Sequence, residues 1–307
     1  MNFISNYPGE LAALLTAVFW TITALAFESA SKKVGSLSVN LIRLFAAFIF
    51  LSAYAWVVRG IPFPTDAGSH QWIWLSLSGL VGFVLGDLFL FQSYVVMNAR
   101  VSMLIMSLAP PIAAAIGWFT MDEVLTGKQG VGMVLIFVGI ALVILKREMP
   151  EENGNGNGRK IKLNYPVGGL LLAFGGAMGQ AGGLVLSKFG MQTYDVVASV
   201  QIRVITGVFG FALVFLVFNK WNMLFSALKN VKAMKRLSVG AFFGPFLGVS
   251  FSLLAVRYTT TGVASALMSI VPVLIIAPAV LIFKEKVNFK EMVGAAITVV
   301  GVVTFFL

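Results

Sequence analysis

The sequence predicts an all-α membrane protein in which ten transmembrane helices form two inverted five-helix repeats. The 307 residues are 59% hydrophobic and 11% charged, with a mean hydropathy of +0.93, which is more apolar side chain than a soluble domain could bury. Ten apolar runs are long enough to cross a bilayer as helices. Residues 82–141 also match residues 244–303 without a gap.

This internal repeat is specific. At an offset of 162 positions, 15 of the 60 aligned residues are identical, whereas this composition would give about five identities by chance. The charged pairs Glu123/Glu285 and Lys128/Lys290 coincide as well, so shared apolarity does not explain the match. The repeat therefore indicates a duplicated gene.

The predicted spans divide into two sets of five, separated by a linker. Residues 148–165 include alternating Asn and Gly that cannot pack, and they predict a flexible linker between a first repeat at 1–147 and a second at 166–307. Residues 219–236 form the other long connection, either an amphipathic helix on the membrane surface or a solvated loop. The spans are 8–28, 37–58, 72–95, 99–120, 129–146, 166–187, 196–218, 237–256, 262–283 and 290–307.

An odd number of crossings per repeat places the two halves upside down relative to each other. This arrangement is typical of secondary transporters and puts a binding site near the midplane, between the halves. Of the twenty lysines and arginines in the loops or at the ends of the spans, sixteen fall on one face and four on the other. The positive-inside rule then predicts a multi-pass protein of the cell (inner) membrane with both termini outside.

The composition limits the chemistry that the chain can perform. There is no cysteine and one histidine, His70, so Cys/His zinc sites and Ser-His-Asp catalysis are not expected. We expect no cofactor, no metal and no enzymatic activity. The basic residues are spread over loops, which indicates membrane orientation and not a nucleic-acid partner. The expected partners are a small-molecule substrate and the lipid bilayer, with a monomer and a homodimer both left open.

Charged residues within spans are costly and are the first functional candidates. Arg43 and Asp87 lie about 10 Å from the same face, so they can pair, either as a structural ion pair or with protonation of Asp87 coupled to transport. The second-half spans offer no acid to Arg203, which suggests that its guanidinium binds an anionic group of the substrate. Helix-end carbonyls, Asp87 and Glu28 are the alternative partners. Glu28, at the edge of its span, is expected to interact with Lys32, Lys33 or Arg43.

Further candidates are polar or aromatic side chains within predicted helices. They can orient a ligand in a mostly apolar cavity, although a single serine is more often a packing residue. Prolines in the fourth and ninth spans predict kinks of gating helices, a feature that static membrane helices also show. The candidates for substrate binding are Trp20, Gln92, Tyr94, Ser102, Ser107, Gln180, Ser265 and Ser269, and the prolines are Pro110, Pro111 and Pro272.

Several of these features occur together in a known family. Trp20 lies midway in the first span, an arginine stands early in the second and in the seventh span (NLIR, VQIR), and each repeat has a proline-containing helix followed by a glycine-bearing one. The chain thus resembles the EamA-type members of the drug/metabolite transporter superfamily over nearly its whole length. Two features depart from the family pattern: Glu28 stands where a lysine is common, and family members are usually drawn with cytoplasmic termini.

The resemblance implies a single-chain secondary carrier, often an exporter of amino acids or other small metabolites. We therefore expect export of an amino-acid-like or other carboxylate-bearing solute by alternating access. A non-transporting membrane sensor or scaffold with the same fold is one alternative, and a proton-coupled exporter of hydrophobic cations is another. The small multidrug relatives depend on a glutamate in the middle of the first helix, and residues 11–27 contain no acid.

Overall fold

The computed structural model describes residues 7–121, 127–147, 161–259, 261–281, 284 and 287–306, and this part of the chain is nearly all helical. Seven helical segments are long and apolar enough to cross a bilayer, judged by length and composition. Two shorter apolar helices, Gly130–Ile144 and Val271–Leu281, accompany them. With the helix Phe289–Phe306 as the tenth, these segments form the predicted ten-helix fold.

The first half contains six helical segments. They are α1 (Pro8–Val34), α2 (Ser36–Arg59), α3 (Ser69–Val96), α4 (Ala99–Met106), α5 (Ala109–Met121) and α6 (Gly127–Ile144). The second half contains α7 (Val167–Met191), α8 (Val196–Phe218), α9 (Trp221–Leu228), α10 (Val231–Tyr258), α11 (Thr261–Met268), α12 (Val271–Leu274), α13 (Ile276–Leu281) and α14 (Phe289–Phe306).

Residue types at the helix ends account for several boundaries. Asn98, Asp195 and Asn230 each precede a helix, and each side chain accepts a hydrogen bond from a backbone N–H in the first turn, at 2.8 to 3.0 Å. Gly35, with φ of +82°, separates α1 from α2, and Gly60, in the left-handed region, ends α2. These local signals fix where the chain reverses between crossings.

The contact between α6 and α14 shows that the halves are inverted. A Cβ built on Gly139 would lie 2.6 Å from the carbonyl oxygen of Gly294, and one built on Gly301 would lie 2.9 Å from that of Gly132. The numbering rises along one helix as it falls along the other, so these two repeat mates are antiparallel. Exchanging each glycine for its mate 162 positions away converts one contact into the other, as a two-fold axis requires.

The remaining contacts between the halves follow the same exchange. α3 packs against α7 and α10 packs against α1, while the mates α2 and α8 pack against each other. Glycines allow the backbones to approach closely in the first of these contacts: a Cβ on Gly179 would lie 2.4 Å from the Cα of Gly86. At Gly248, the repeat mate of Gly86, a Cβ would instead lie 3.0 Å from the indole ring of Trp20. The core therefore lies between the halves and not within each half.

A π-helical stretch occurs at the same place in both halves. Leu80–Gly86 within α3 and Phe242–Gly248 within α10 are separated by 162 positions at both ends. Pro245 lies inside the second stretch, whereas the first contains no proline. Single π-helical turns inside α-helices are frequent at functional sites.

A break in the helix also recurs. The fourth predicted span divides at residues 107–108 and the ninth at residues 269–270, again 162 positions apart. The ninth span divides once more at residue 275, so it consists of three short helices where the sequence predicted one. Pro110 and Pro272 follow the two equivalent breaks and lie in the first turn of the next helix, where a proline is tolerated because its missing N–H would have no partner within the helix.

Three further observations refine the sequence-based picture. Residues 161–163 of the predicted linker form a strand, β2 (Ile161–Leu163), paired antiparallel with β1 (Leu145–Arg147), while residues 148–160 lie outside the described residues. The connection at 219–236 contains α9 and the start of α10, separated by residues 229–230. The second-half spans do contain an acid, Glu291 in the first turn of α14, contrary to the expectation that they had none.

Candidate functional site

A cavity of about 1050 Å³, part of it open to solvent, lies between the two halves. Its lining includes charged, polar and aromatic side chains from both repeats. The first half contributes Trp20, Thr23, Phe27, Arg43, Phe83, Asp87, Phe91, Tyr94, Met103, Met106, Ser107 and Pro110, and the second contributes Gln180, Leu184, Arg203, Pro245, Ser252, Ser265, Met268, Ser269 and Pro272.

Asp87 is the centre of a buried polar network at this cavity. It is the first residue after the π-helical stretch of α3, and it forms a salt bridge with Arg43 of α2. Gln180 of α7 donates a hydrogen bond to the other carboxylate oxygen at 3.0 Å. Asn40 accepts from Arg43 Nε at 3.0 Å and donates to the backbone carbonyl of Asp87 at 3.2 Å. The Asp87 carboxylate therefore has partners from both halves.

Arg203 of α8 has a different environment. Its residue is 3% exposed, and it forms no ion pair with any residue that the structure describes. Its guanidinium lies 4.6 Å from the centre of the Phe83 ring, and Arg43 lies 5.8 Å from the same ring. Two arginines and one aspartate line the cavity among the described residues, so its formal charge is positive.

Three buried polar atoms of the cavity lining lack a hydrogen-bond partner among the described residues. They are Thr23 Oγ1, Ser107 Oγ and Arg203 Nε. Buried donors are normally paired, and an unpaired one costs about 1 to 3 kcal/mol. All three groups can donate to an acceptor, which makes the cavity suited to a ligand that brings acceptor atoms.

Aromatic and methionine side chains form the apolar wall. Phe91 lies 4.6 Å from Arg43, stacks on Tyr94 at 5.4 Å and contacts Phe27 at 5.0 Å. Tyr94 donates a hydrogen bond to Met103 Sδ at 3.3 Å. Tyr94 was a candidate from sequence, but Phe27, Phe91 and Met103 were not, because an aromatic stripe on a membrane helix has the same pattern whether it faces lipid, a neighbouring helix or a cavity.

Most of the residues singled out from sequence are brought together here. Trp20, Tyr94, Ser107, Gln180, Arg203 and Ser269 line the cavity with Arg43, Asp87, Pro110 and Pro272. Ser265 also lines it, and its carbonyl accepts a hydrogen bond from Ser269.

Four of them lie elsewhere. Gln92 accepts from Ser36 at 2.6 Å, and Ser102 accepts from Ser93 at 2.8 Å. Glu28 pairs with Lys32 at 2.5 Å and not with Arg43, and Pro111 is buried outside the cavity lining.

A polar bridge joins the halves on the face where α2 ends and α8 begins. Asp66 accepts from Arg59 at 2.6 Å and from the Tyr194 hydroxyl of the second half at 2.8 Å. Arg59 also lies 3.8 Å from Asp195, and Arg257 donates to the carbonyl of Tyr194 at 3.4 Å. We call Arg59, Asp66, Tyr194 and Asp195 the polar bridge.

The groups of the polar bridge are electrostatically coupled. Burial raises the pKa of Tyr194 to about 12, with a further contribution from its hydrogen bond to Asp66. Burial acts to raise the pKa of Asp66, but the hydrogen bonds from Tyr194 and Arg59 outweigh it and hold that pKa below the ordinary value. The charged carboxylate and the neutral phenol are therefore both stabilised when the halves are in contact here.

A second ionic contact joins the halves at the opposite face. Arg100 of α4 lies 3.0 Å from Glu291 of α14, which also accepts a hydrogen bond from Tyr165 at 3.3 Å. At each of the two faces, therefore, an arginine of the first half lies close to a carboxylate of the second.

The fold and the cavity define a class of protein: inverted repeats that enclose a polar chamber between them are the architecture of secondary carriers. The model of the EamA-like transporter family matches residues 7–145 and 167–307, one match in each half. The chain belongs to the EamA-like transporter family, and so to the drug/metabolite transporter superfamily, whose members are membrane transporters.

One solved crystal structure, described only as that of a protein, has the same fold. It aligns with 97% of this chain and 96% of its own length, with a TM-score of 0.61 and 16% sequence identity. At that identity the likeness shows the fold alone. No curated protein matches the chain.

Proposed function

We propose that this protein is a secondary active transporter that exports a small amphipathic metabolite bearing a carboxylate, such as an amino-acid-like solute. The observation that carries the proposal is the cavity between the halves: counted over the described residues, it is positively charged and has three buried polar groups without partners. Transport would proceed by alternating access, as the two halves rock about their shared interface.

The charges favour an anionic group on the substrate. Asp87 neutralises Arg43, whereas Arg203 has no ion-pair partner among the described residues. A buried, uncompensated charge is costly, and a carboxylate suits a guanidinium because it can accept two parallel hydrogen bonds. Binding of a carboxylate would therefore stabilise the Arg203 side chain in its present position.

The rest of the cavity favours a small amphipathic solute. Thr23 and Ser107 offer hydroxyl donors from the first half, and the aromatic wall of Phe27, Phe83 and Phe91 offers apolar contact. Pockets of this kind bind the apolar part of a ligand by burial and orient it through a few polar groups.

The geometry also supports a conformational cycle. The cavity adjoins the breaks at residues 107–108 and 269–270, where two helices in equivalent positions can bend.

The Asp87 carboxylate is fully engaged by Arg43 and Gln180, which supports a structural role for the salt bridge between Asp87 and Arg43 over proton coupling. The charge count supports a cell-membrane location with both termini outside.

The proposal is tested by counterflow in proteoliposomes, with a screen of amino acids, small organic acids and nucleosides. Arg203→Ala is expected to weaken the binding of a transported carboxylate by 10- to 100-fold, since a hydrogen bond to a charged group contributes about 1.5 to 3 kcal/mol. Arg203→Lys should restore part of the loss, because lysine keeps the charge without the two-pronged geometry. Arg257→Ala is the matched control, an exposed arginine of the same half outside the cavity.

The same screen separates the other two functions. A hydrophobic cation added to the screen would meet a cavity of net positive charge, so we expect no counterflow of such a compound. If no solute exchanges although folded protein is present in the vesicles, the transporter proposal fails and a sensor or scaffold takes its place.

A further inference from the structure

The connection between α8 and α10 carries a dense positive charge at one membrane face. Residues 219–236 contain five lysines and arginines and no aspartate or glutamate. All five side chains are exposed, and we call them the basic ledge: Lys220, Lys229, Lys232, Lys235 and Arg236. Orientation by the positive-inside rule requires positive charge on this side, but it does not require that charge to be gathered on one short connection.

Most of this charge has no protein partner. Lys220, Lys229, Lys232 and Lys235 form no ion pair with any residue in the described part of the chain. Arg236 donates to the hydroxyl of Ser29 at the end of α1. Glu28, the residue before Ser29, is 5% exposed and is already paired with Lys32. The ledge is therefore an uncompensated cationic surface.

An apolar surface lies directly beside the ledge. Leu224 and Ala227 of α9 are buried, and the ring of Trp221 lies 5.6 Å from that of Phe215. On another side of the same helix, Phe225 is 56% exposed and Leu228 is 47% exposed. Because α9 begins three residues after the end of transmembrane helix α8, we expect these two side chains at the boundary between headgroups and acyl chains.

The helix is held in place by the turn between α1 and α2. A Cβ built on Gly35, which has a φ of +82°, would lie 3.3 Å from Met223 Sδ, so only a glycine permits this contact without adjustment. The cationic and apolar groups are therefore carried by a region anchored by a packed helix and not by a flexible loop.

From these observations we propose that the basic ledge binds the headgroup of an anionic phospholipid. Lys229 and Lys232 contact the phosphate, and Phe225 and Leu228 contact the acyl chains. Free phosphate or a soluble phosphate ester would satisfy the lysines alone, whereas only a lipid also covers the two exposed apolar side chains. This lipid site is independent of the substrate cavity and of the proposed transport activity.

The test is native mass spectrometry of the full-length protein in detergent, with phosphatidylglycerol and phosphatidylcholine added at equal concentration. The wild-type protein is expected to retain phosphatidylglycerol preferentially. Lys229→Gln with Lys232→Gln should lower the affinity for phosphatidylglycerol by about five-fold for each lysine removed, with phosphatidylcholine binding unchanged. The matched control is Lys284→Gln with Lys290→Gln, two exposed lysines on the same membrane face that remove the same charge.

A third variant distinguishes a lipid from a soluble anion. Phe225→Ser with Leu228→Ser keeps every charge of the ledge and should also weaken phosphatidylglycerol binding, and excess glycerol phosphate should not displace the lipid from the wild-type protein. Thermal unfolding of each variant checks that the fold is retained. Equal losses in the two lysine variants, displacement by glycerol phosphate, or no preference for phosphatidylglycerol would each overturn the proposal.

Discussion

At the scale of single residues, Asp87 and Arg43 show how much a helical position alone can indicate. Their similar depth from one face allowed a pair to be inferred, and the structure contains that salt bridge. Gln180, singled out among glycines of its helix, lies within hydrogen-bond distance of the same carboxylate. Gln92 could not be placed from sequence, because its direction depends on helix rotation, and it faces Ser36.

Other lining residues gave no usable signal. Thr23 and Phe83 are residue types that are common at packing positions. The Thr23 hydroxyl lacks a partner among the described residues, and the Phe83 ring faces Arg203 of the other half. Both features depend on which side chains of the second half lie opposite, and the sequence does not show that. Glu291 was passed over because it stands at the end of a span, where an acid normally meets water, yet it pairs with Arg100.

The Asp87–Arg43 salt bridge gives the first prediction. Asp87→Asn leaves Arg43 buried without an anionic partner, and we expect about 3 to 5 kcal/mol of destabilisation, measured by thermal or denaturant unfolding in detergent. The double variant Asp87→Asn with Arg43→Gln should be more stable than Asp87→Asn alone, since it removes both buried charges. If Asp87→Asn instead keeps full stability and abolishes only the pH dependence of transport, the pair has a coupling role and not a structural one.

Tyr194 gives a second prediction, about pH. Because the folded protein lowers the pKa of Asp66, the stability from this carboxylate is present above its ordinary pKa of 3.8 and is lost as pH falls through the lower, folded value. The pKa of Tyr194 is raised to about 12, so its contribution is present below its ordinary value of 10.0 and is lost as pH rises through 12.

The wild-type protein should therefore exceed Tyr194→Phe in stability by an amount that is constant from about pH 5 to about pH 9. We expect this difference to be below about 1 kcal/mol, because Asp66 is partly exposed. Unfolding curves at several pH values measure it. A difference that grows towards acid pH would contradict this account of the polar bridge.

At the scale of secondary structure, the repeat made ten spans predictable, but it did not reveal how they are interrupted. Pro110 and Pro272 indicated bends in the fourth and ninth spans, and breaks occur just before both. The π-helical stretches had no such signal: one contains a proline and the other does not. Their common position became visible only when the two halves were superimposed by sequence offset.

Close backbone contact between α3 and α7 leads to a third prediction. A methyl group on Gly179 would lie 2.4 Å from the Cα of Gly86, so Gly179→Ala forces the two helices apart. We expect a loss of about 1 to 3 kcal/mol in the free energy of unfolding, the usual range for overpacking. Gly168→Ala on the same helix is the matched control, since nothing lies within 4 Å of its added methyl group. Equal effects of the two substitutions would show that helix propensity, and not the contact with α3, determines the result.

At the scale of the whole molecule, the halves meet through antiparallel mates, and each membrane face has an ionic contact between them. Alternating access requires the contact at the open face to separate. Since residue pairs across an interface could not be known before the chain was folded, neither the polar bridge nor the Arg100–Glu291 contact was predicted from sequence.

Cross-linking of the polar bridge is the fourth prediction. The chain has no cysteine, so Asp66→Cys with Tyr194→Cys introduces a single pair of thiols. A direct disulfide forms only when the two Cα atoms lie within about 7 Å of each other. A reducible bifunctional thiol reagent, which can span a longer gap, therefore makes the cross-link. We expect the cross-link to stop counterflow, and reduction to restore it, because the halves can then separate again.

Each single-cysteine variant treated with the same reagent is the control. In intact cells, a membrane-impermeant reagent should reach the pair, since the charge count places this face outside. Counterflow that continues after complete cross-linking would exclude opening at the polar bridge, and labelling only after the cells are lysed would reverse the orientation.

The repeat mate of Asp87 is Val249, so the two halves are alike in shape but unlike in charge. When the halves exchange roles, a solute that entered past one set of side chains departs past another. The half-saturation concentrations measured from the two sides should therefore differ. Without an energy source the maximal rates must differ by the same ratio, because a passive carrier cannot shift the equilibrium, so the chain would move its cargo equally fast from both sides at low concentration and faster from one side only near saturation.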